Sequence, residues 1–128
     1  MTYSVLVAED EPNIVLSLQF IMKKAGLNVR VAKDGDQAIR ELKKETPDVV
    51  LLDIMLPKRD GFSVCEMIKG NAEWSTVKVI MLTAKSREED KQRAMELGAD
   101  DYITKPFSTR ELVERVMGMV GENESSNA

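Results

Sequence analysis

The stretch VVLLDIMLP, Val49–Pro57, joins an apolar run to a single carboxylate, Asp53. Four consecutive apolar residues are typical of a strand that is buried on both faces, as in a parallel sheet. A buried carboxylate without partners is costly, so Asp53 needs either partners or a chemical role. The stretch therefore predicts a central strand with Asp53 just past the carboxyl edge of the sheet.

Short apolar runs alternate with amphipathic stretches along the rest of the chain. The predicted strands are residues 4–10, 28–32, 48–53, 77–84 and 101–105. The predicted helices begin at Pro12, Asp34, Gly61, Arg87 and, after an N-cap at Ser108, near Thr109. Five strands alternating with five helices indicate an α/β fold whose parallel sheet is covered on both faces. We predict one domain over residues 1–120 and a flexible tail over residues 121–128.

Composition excludes several classes of function. The 128 residues include no histidine and one cysteine, which excludes histidine triads, internal disulfides and typical zinc sites. The net charge of −4 disfavours direct binding of nucleic acid. Because no apolar run approaches the length of a membrane span, we expect a cytoplasmic protein.

Polar residues collect where the predicted strands end. Glu9 and Asp10 end the first strand, and Asp53, Thr83 and Lys105 lie at the ends of the third, fourth and fifth. Parallel strands bring their carboxyl ends to one edge, where such sheets bind ligands. Carboxylate oxygens alone favour Mg²⁺, or Mn²⁺, over zinc. A metal together with a lysine would suit a phosphoryl group, and a carboxylate held beside it could act as nucleophile.

Four motifs together resemble the receiver domain of two-component response regulators. They are Glu9-Asp10, LLDIMLP, MLTAK and DDYITKPF, and the resemblance covers about residues 3–120. Within this CheY-like superfamily the chain is most similar to receivers of winged-helix transcription factors. The resemblance implies a flavodoxin-like, doubly wound sheet in the order 2-1-3-4-5. It also implies a phosphoacceptor switch of a His-Asp phosphorelay, with a histidine kinase or phosphotransfer protein and a downstream effector protein or domain as partners.

The resemblance assigns roles to the residues at the strand ends. Asp53 would be the phosphoacceptor, and Lys105 would pair with the phosphoryl oxygens. Mg²⁺ would be bound by Asp10 and Asp53 directly and by Glu9 through water or as a supporting carboxylate. The fourth metal contact would be the backbone carbonyl of Met55. The resemblance also implies a cis bond between Lys105 and Pro106.

The same resemblance makes Thr83 and Tyr102 a switch pair. The Thr83 hydroxyl would move to the phosphoryl group, and Tyr102 would swing inward behind it. Met55 and Lys85 would border the phosphoryl group, and neither offers a base that could position water. We therefore expect slow loss of the phosphoryl group.

The stretch from about residue 87 to 117 resembles the face that winged-helix receivers use for symmetric dimers. Across a two-fold axis, Lys91 could reach Glu111 and Asp101 could reach Arg115. The alternative is a solvated face whose ion pairs lie within one chain and contribute little. The sequence does not decide between the two.

Two further predictions concern packing. We expect Gly61 to permit a turn with positive φ in the loop after the third strand. Four sulfur-containing residues should fill the core: Cys65, Met67, Met81 and Met95.

Three other functions remain to be weighed against the switch. A phosphatase of the haloacid-dehalogenase type would carry an acid two residues after its nucleophile, where this chain has Met55. A flavodoxin-like cofactor binder would need a glycine-rich or Ser/Thr-rich loop after the first strand, where this chain has EDEP. A receiver-like interaction module that is not phosphorylated would lack one of the site residues, all of which are present.

Overall fold

The computed structural model describes residues 2–84 and 88–126, and its strands form one parallel sheet. The strands are β1 (Ser4–Ala8), β2 (Asn28–Ala32), β3 (Val49–Asp53), β4 (Lys78–Ala84) and β5 (Asp101–Lys105). The helices are α1 (Pro12–Lys24), α2 (Gly35–Lys44), α3 (Gly61–Lys69), α4 (Glu88–Glu96) and α5 (Thr109–Ser126), with a 3-10 turn at Ala72–Trp74. The sheet order β2-β1-β3-β4-β5 confirms the predicted fold class.

Strand β3 lies at the centre of the sheet, as the opening stretch predicts. All five of its residues are buried, and it pairs with β1 on one side and β4 on the other. Leu51, for example, is opposite Val7 in β1 and Ile80 in β4. Strand order reverses between β1 and β3, because β1 pairs with β2 on its other side. This reversal marks the edge where open α/β sheets bind ligands.

Two hydrophobic layers cover the two faces of the sheet. On one face, α1 and α5 contribute Leu18, Met22, Leu112 and Val116 to a buried cluster. On the other, helices α2 to α4 contribute a second cluster that includes Leu42, Ile68 and Ala94. A parallel sheet of this kind needs both layers, because its strands carry apolar side chains on both faces.

Local signals in the sequence set the helix starts. Pro12 occupies the first turn of α1, where its missing N–H has no helical partner to lose. The carboxylates of Asp34 and Asp60 accept hydrogen bonds from backbone N–H groups in the first turns of α2 and α3. Ser108 Oγ accepts from the Glu111 N–H at 3.0 Å, which confirms the predicted N-cap of α5.

The last helix and the packing of four sulfur-containing residues bear on the sequence predictions. Helix α5 continues to Ser126, because Gly121 keeps a helical backbone and does not terminate it; the division at residue 120 and the flexibility of the tail stay predictions. Cys65 and Met81 are buried as predicted, but Met67 and Met95 are 38% and 46% exposed on the outer sides of their helices. None of the helices within the described ranges is both long and apolar enough to cross a lipid bilayer.

Candidate functional site

A lysine joins two carboxylates at the carboxyl edge of the sheet. Glu9 directly follows β1, while Asp53 and Lys105 are the last residues of β3 and β5. The Lys105 Nζ lies 3.0 Å from Glu9 Oε1 and 3.1 Å from Asp53 Oδ1. The structure thus brings together residues far apart in the chain because the parallel strands β1, β3 and β5 all end at the same edge of the sheet.

Glu9 and Asp10 differ sharply in their surroundings. Glu9 is fully buried, and both of its carboxylate oxygens have protein partners. Its Oε1 accepts from Lys105, and its Oε2 accepts from the Asp10 N–H at 3.0 Å. Asp10 is exposed. Asp10 is therefore the carboxylate that is open to an incoming ligand, whereas Glu9 is arranged to support its neighbours.

The electrostatics of the cluster follow from its burial. Burial raises the pKa of Glu9 to about 7, helped by the hydrogen bond and negative charge of Asp53 and opposed by Lys105. Burial alone would lower the pKa of Lys105, but its contacts with Glu9 and the charge of Asp53 outweigh this and raise it. The Lys105 ammonium therefore remains charged and lies between the carboxylates of Glu9 and Asp53.

The acids have the spacing and chemistry of a site for a hard cation. One oxygen from each of Glu9, Asp10 and Asp53 lies within 4.8 Å of the other two. Among residues 2–84 and 88–126, this is the only cluster of three potential ligand residues with that spacing. An all-oxygen donor set that is partly open to water fits Mg²⁺. A divalent cation would also offset the negative charge of Asp53, which adds to the rise in the pKa of Glu9 that burial causes.

Thr83 carries an unpaired hydroxyl beside this cluster. It lies in β4, next to β3, and is 1% exposed. Its Oγ1 is buried and has no hydrogen-bond partner among the residues that the structure describes. Leaving a buried hydroxyl unpaired costs about 1–3 kcal/mol, so its position next to the acids makes Thr83 a candidate for binding a ligand at this edge.

The loop after β3 is shaped by a close backbone contact. The Gly61 N–H donates to the Ile54 carbonyl at 2.9 Å. A Cβ on Gly61 would overlap the Asp53 carbonyl oxygen and would lie 2.8 Å from Ile54 Cα. Gly61 does not have the positive φ that the sequence predicted; the glycine is required because helix α3 begins directly against the end of β3.

Met55 lies in this loop with its side chain 72% exposed. Only its main chain can therefore contribute to a buried site. The other residue predicted to border the phosphoryl group, Lys85, lies outside the described residues. The predicted cis bond between Lys105 and Pro106 is present.

Tyr102 contacts both helices next to it. The half-buried ring packs against the core under α4, and the Lys91 ammonium lies 5.1 Å from the ring centroid. The Tyr102 carbonyl accepts from Arg115 Nη1 at 2.8 Å. The same guanidinium is 2.7 Å from Asp101 Oδ1. The predicted switch residue thus touches α4 through its ring and α5 through its backbone.

The residues of the predicted dimer face form ion pairs within the chain. Arg115 binds Asp101 and also lies 3.5 Å from Glu111, and Lys91 lies 3.5 Å from Glu88. For Asp101 and Arg115 the intramolecular alternative explains the pair without a partner subunit. A dimer through this face stays a prediction.

Sequence reasoning missed the contact between the loop after β3 and the start of α2. Gly35 packs against the backbone of Arg59, and the Asp36 carboxylate binds the Arg59 side chain at 3.1 Å. The sequence carries no signal for this contact, because the low helix propensity of glycine applies to helix interiors and Gly35 is the first helical residue.

Comparisons with known proteins agree with this geometry. A family model described as "Response regulator receiver domain" matches residues 5–117. The receiver domain of Francisella response regulator 1452 is 33% identical, with a TM-score of 0.88 and coverage of 95% of this chain and 99% of that one. The receiver domain of sensor histidine kinase PA1611 from Pseudomonas aeruginosa is 29% identical, with a TM-score of 0.86 over 94% and 99% of the two chains. That structure has a magnesium ion coordinated in its active-site cleft.

A larger protein also contains this fold. NtrX from Brucella abortus is 27% identical, with a TM-score of 0.90, and the match covers 99% of this chain but 29% of NtrX. The family match sets aside the haloacid-dehalogenase and flavodoxin alternatives.

Proposed function

Because the chain belongs to the response regulator receiver domains, which are signalling domains rather than conventional enzymes, we propose that it is a phosphoacceptor switch of a His-Asp phosphorelay. Asp53 would be the phosphoacceptor. The observation that carries the proposal is the lysine bridge, in which Lys105 Nζ holds Glu9 and Asp53 at 3.0 and 3.1 Å on the ligand-binding edge of the sheet. Salt bridges that only stabilise a fold do not require an exposed acid and an unpaired hydroxyl beside them.

Each site residue would have a separate role in phosphoryl transfer. An Asp53 oxygen would form a bond to phosphorus while the bond from phosphorus to the donor, a phosphohistidine nitrogen of a partner, breaks. Lys105 would pair with the phosphoryl oxygens, and the unpaired Thr83 hydroxyl would donate a hydrogen bond to one of them.

The residues present fit a magnesium ion. Asp10, Asp53 and the Met55 carbonyl would hold it, and Glu9 would act through water or as a support, since both its oxygens already have partners. The ion would supply positive charge against the phosphoryl oxygens. The oxygen-only cluster and the magnesium in the PA1611 receiver support this assignment.

The output would be a change at the surface formed by α4, β5 and α5, reached through Thr83 and Tyr102. Partners would be a histidine kinase or phosphotransfer protein and a downstream effector protein or domain, and the match within NtrX supports a place in a longer regulator. A phosphorylation-dependent homodimer through Lys91, Glu111, Asp101 and Arg115, and a cytoplasmic location, belong to the same proposal.

The direct test is phosphorylation by a small-molecule donor. After incubation with Mg²⁺ and acetyl phosphate, intact mass measurement should show one added phosphoryl group in the wild type and none in Asp53→Asn. Asp60→Asn is the matched control, because Asp60 lies in the same loop and asparagine preserves its N-cap. Absence of the added mass in the wild type, or its persistence in Asp53→Asn, would refute the assignment.

We also propose that the phosphoryl group is lost slowly. The exposed thioether of Met55 cannot act as a base toward water at the site. After removal of the donor, we expect the phosphorylated fraction to persist for minutes or longer when it is measured by intact mass. A half-life of seconds would contradict this expectation.

A further inference from the structure

The tip of the loop after β3 is held against the first turn of α2. The Gly35 N–H donates to the Pro57 carbonyl at 3.1 Å. A Cβ on Gly35 would lie 2.5 Å from Arg59 Cβ and 2.7 Å from its carbonyl carbon, and closer still to the carbonyl oxygen. Any residue larger than glycine would therefore push the helix and the loop apart.

The loop conformation at this contact is an unfavourable one. The Arg59 N–H donates to the Pro57 carbonyl at 2.7 Å, which closes a three-residue turn around Lys58, whose φ is +67°. A γ-turn with positive φ at a residue other than glycine is rare and strained, and it persists only when its surroundings hold it. The Pro57 carbonyl accepts a second hydrogen bond from Gly35, so the start of α2 is part of what holds this turn.

Two ion pairs strengthen the same contact. Arg59 Nε lies 3.1 Å from Asp36 Oδ1, and Lys58 Nζ lies 3.8 Å from Asp34 Oδ2. Both acids belong to the start of α2, and both bases belong to the loop tip. Each pair is partly exposed and contributes little alone. Both pairs, like the backbone hydrogen bond, hold the loop tip against the start of α2.

The base of the loop is fixed separately. Gly61 lies against the Asp53 carbonyl and donates to the Ile54 carbonyl at 2.9 Å. The segment between these two fixed points contains Met55, whose side chain points into solvent and makes no anchor of its own. Its chain neighbours Ile54 and Leu56 are each 6% exposed and belong to the core cluster, so the position of the Met55 main chain depends on their burial together with the contacts at the base and at the tip.

We infer that Gly35, Asp36 and Arg59 are positioning residues for the cation site, because they fix the loop that carries the Met55 carbonyl. This inference rests on the proposed function, which assigns that carbonyl to the metal. The three residues act through the loop and do not touch the ion. Supporting contacts of this kind commonly change metal affinity by about 10–100-fold when they are removed.

Mg²⁺ affinity, measured by titration calorimetry on the whole chain without a phosphodonor, separates positioning from simple charge effects. Removing an acid near a cation site should weaken binding, and removing a base should strengthen it. A positioning role predicts instead that Asp36→Ala and Arg59→Ala both weaken binding, by about 3–10-fold because the backbone contact at Gly35 remains. A reciprocal exchange, Asp36→Arg with Arg59→Asp, should restore most of the affinity.

Two other variants complete the test. Gly35→Ala should weaken binding by about 10–100-fold even though alanine is the better helix former. Arg110→Ala is the matched control, because Arg110 Nε makes a similar 3.0 Å contact with Glu114 on α5. Its affinity for Mg²⁺ should equal that of the wild type. Should Gly35→Ala fail to fold in a circular dichroism melt, the two surface variants still decide the question.

The outcomes distinguish this inference from the proposed function. Weakening in both Asp36→Ala and Arg59→Ala, with an unchanged control, supports the inference. Mg²⁺ binding by the wild type with opposite shifts, or no shift, in the two variants would overturn the inference alone. No Mg²⁺ binding by the wild type would overturn the metal assignment and this inference with it.

Discussion

Replacing Gly61 with alanine should reduce the stability of the fold and displace Asp53, the proposed phosphoacceptor. The added Cβ would lie 2.8 Å from Ile54 Cα and 2.9 Å from the Asp53 carbonyl carbon, where ordinary contacts begin at 3.4 Å. The neighbours are backbone atoms of the last residue of β3, which pairs with Leu82 of β4, and of the residue after it, so no flexible side chain can give way. Helix α3 and the end of β3 must therefore separate by more than half an ångström.

The expected free-energy change combines three effects. Overpacking of this kind costs about 1–3 kcal/mol. Weakening the hydrogen bond from Gly61 to Ile54 costs about 1 kcal/mol more, and the better helix propensity of alanine returns up to about 1 kcal/mol. The net loss should be about 2 kcal/mol, which corresponds to a Tm lower by roughly 5–10 °C in a domain of this size.

Activity should fall as well, because the displaced strand end carries Asp53 away from its 3.1 Å contact with Lys105. A misplacement near 1 Å at a reacting group can cost on the order of 100-fold in rate. We expect the initial rate of phosphorylation by acetyl phosphate to fall at least tenfold, at a temperature where the variant is folded.

Gly118→Ala is the control for this variant. A Cβ on Gly118 meets no atom within 4 Å, so alanine should stabilise α5 by up to about 1 kcal/mol and leave phosphorylation unchanged. If urea denaturation finds Gly61→Ala as stable as the wild type, the steric argument is wrong. If stability falls while the phosphorylation rate is unchanged, Asp53 does not depend on this contact.

Three further predictions follow from buried groups. Thr83→Val should stabilise the unphosphorylated protein by about 1 kcal/mol in urea denaturation, because it removes an unpaired buried hydroxyl. The same variant should be phosphorylated more slowly. A destabilised variant would show that the hydroxyl has a partner. Burial and Asp53 raise the pKa of Glu9 from 4.5 to about 7. Between these two values the folded chain therefore keeps a proton that the unfolded chain releases. The contribution of this proton to the free energy of unfolding is complete below pH 4.5 and is lost as the pH rises through 7. Urea denaturation in EDTA at about pH 5 and about pH 7.5 should show a smaller pH dependence for Glu9→Gln than for the wild type; equal dependence would exclude Glu9 as the titrating group. Burial raises the pKa of the Cys65 thiol to about 11, so a thiol reagent at pH 8 should react only after unfolding, and rapid labelling of the folded protein would contradict this.

Much of the fold was predictable because it rests on local patterns. The apolar run of β3, the proline that opens α1 and the N-cap serine of α5 each report a structure within a few residues. The cluster at the sheet edge was predictable for a related reason. Once strands are parallel, residues that end them must meet, whatever their separation in the chain.

Contacts between segments with no common pattern could not be predicted. The approach of Gly35 to Arg59 depends on how closely a helix and a loop pack, which periodicity does not encode. The role of Gly61 was misassigned for the same reason. In a sequence, a glycine that is required because a neighbouring segment packs closely looks the same as one that is required by a positive φ. The intramolecular pair of Asp101 and Arg115 was only one of two alternatives, because charge patterns do not specify whether a side chain pairs within its own chain or with a second copy.

The contacts of Tyr102 set an energy scale for signalling. Its backbone N–H and carbonyl are both bound, by Asp101 at 2.8 Å and Arg115 at 2.8 Å, so the strand stays in place when the ring turns. In the proposed switch, rotation of the ring would break the contact with the Lys91 ammonium, which is worth about 0.5–1 kcal/mol, little more than thermal energy. Two ring orientations that differed by this contact alone would lie within about tenfold of each other in population. Under this proposal, a phosphoryl group on Asp53 would need only to shift an existing balance between the two orientations, and the surface around Lys91 would respond in proportion to that shift.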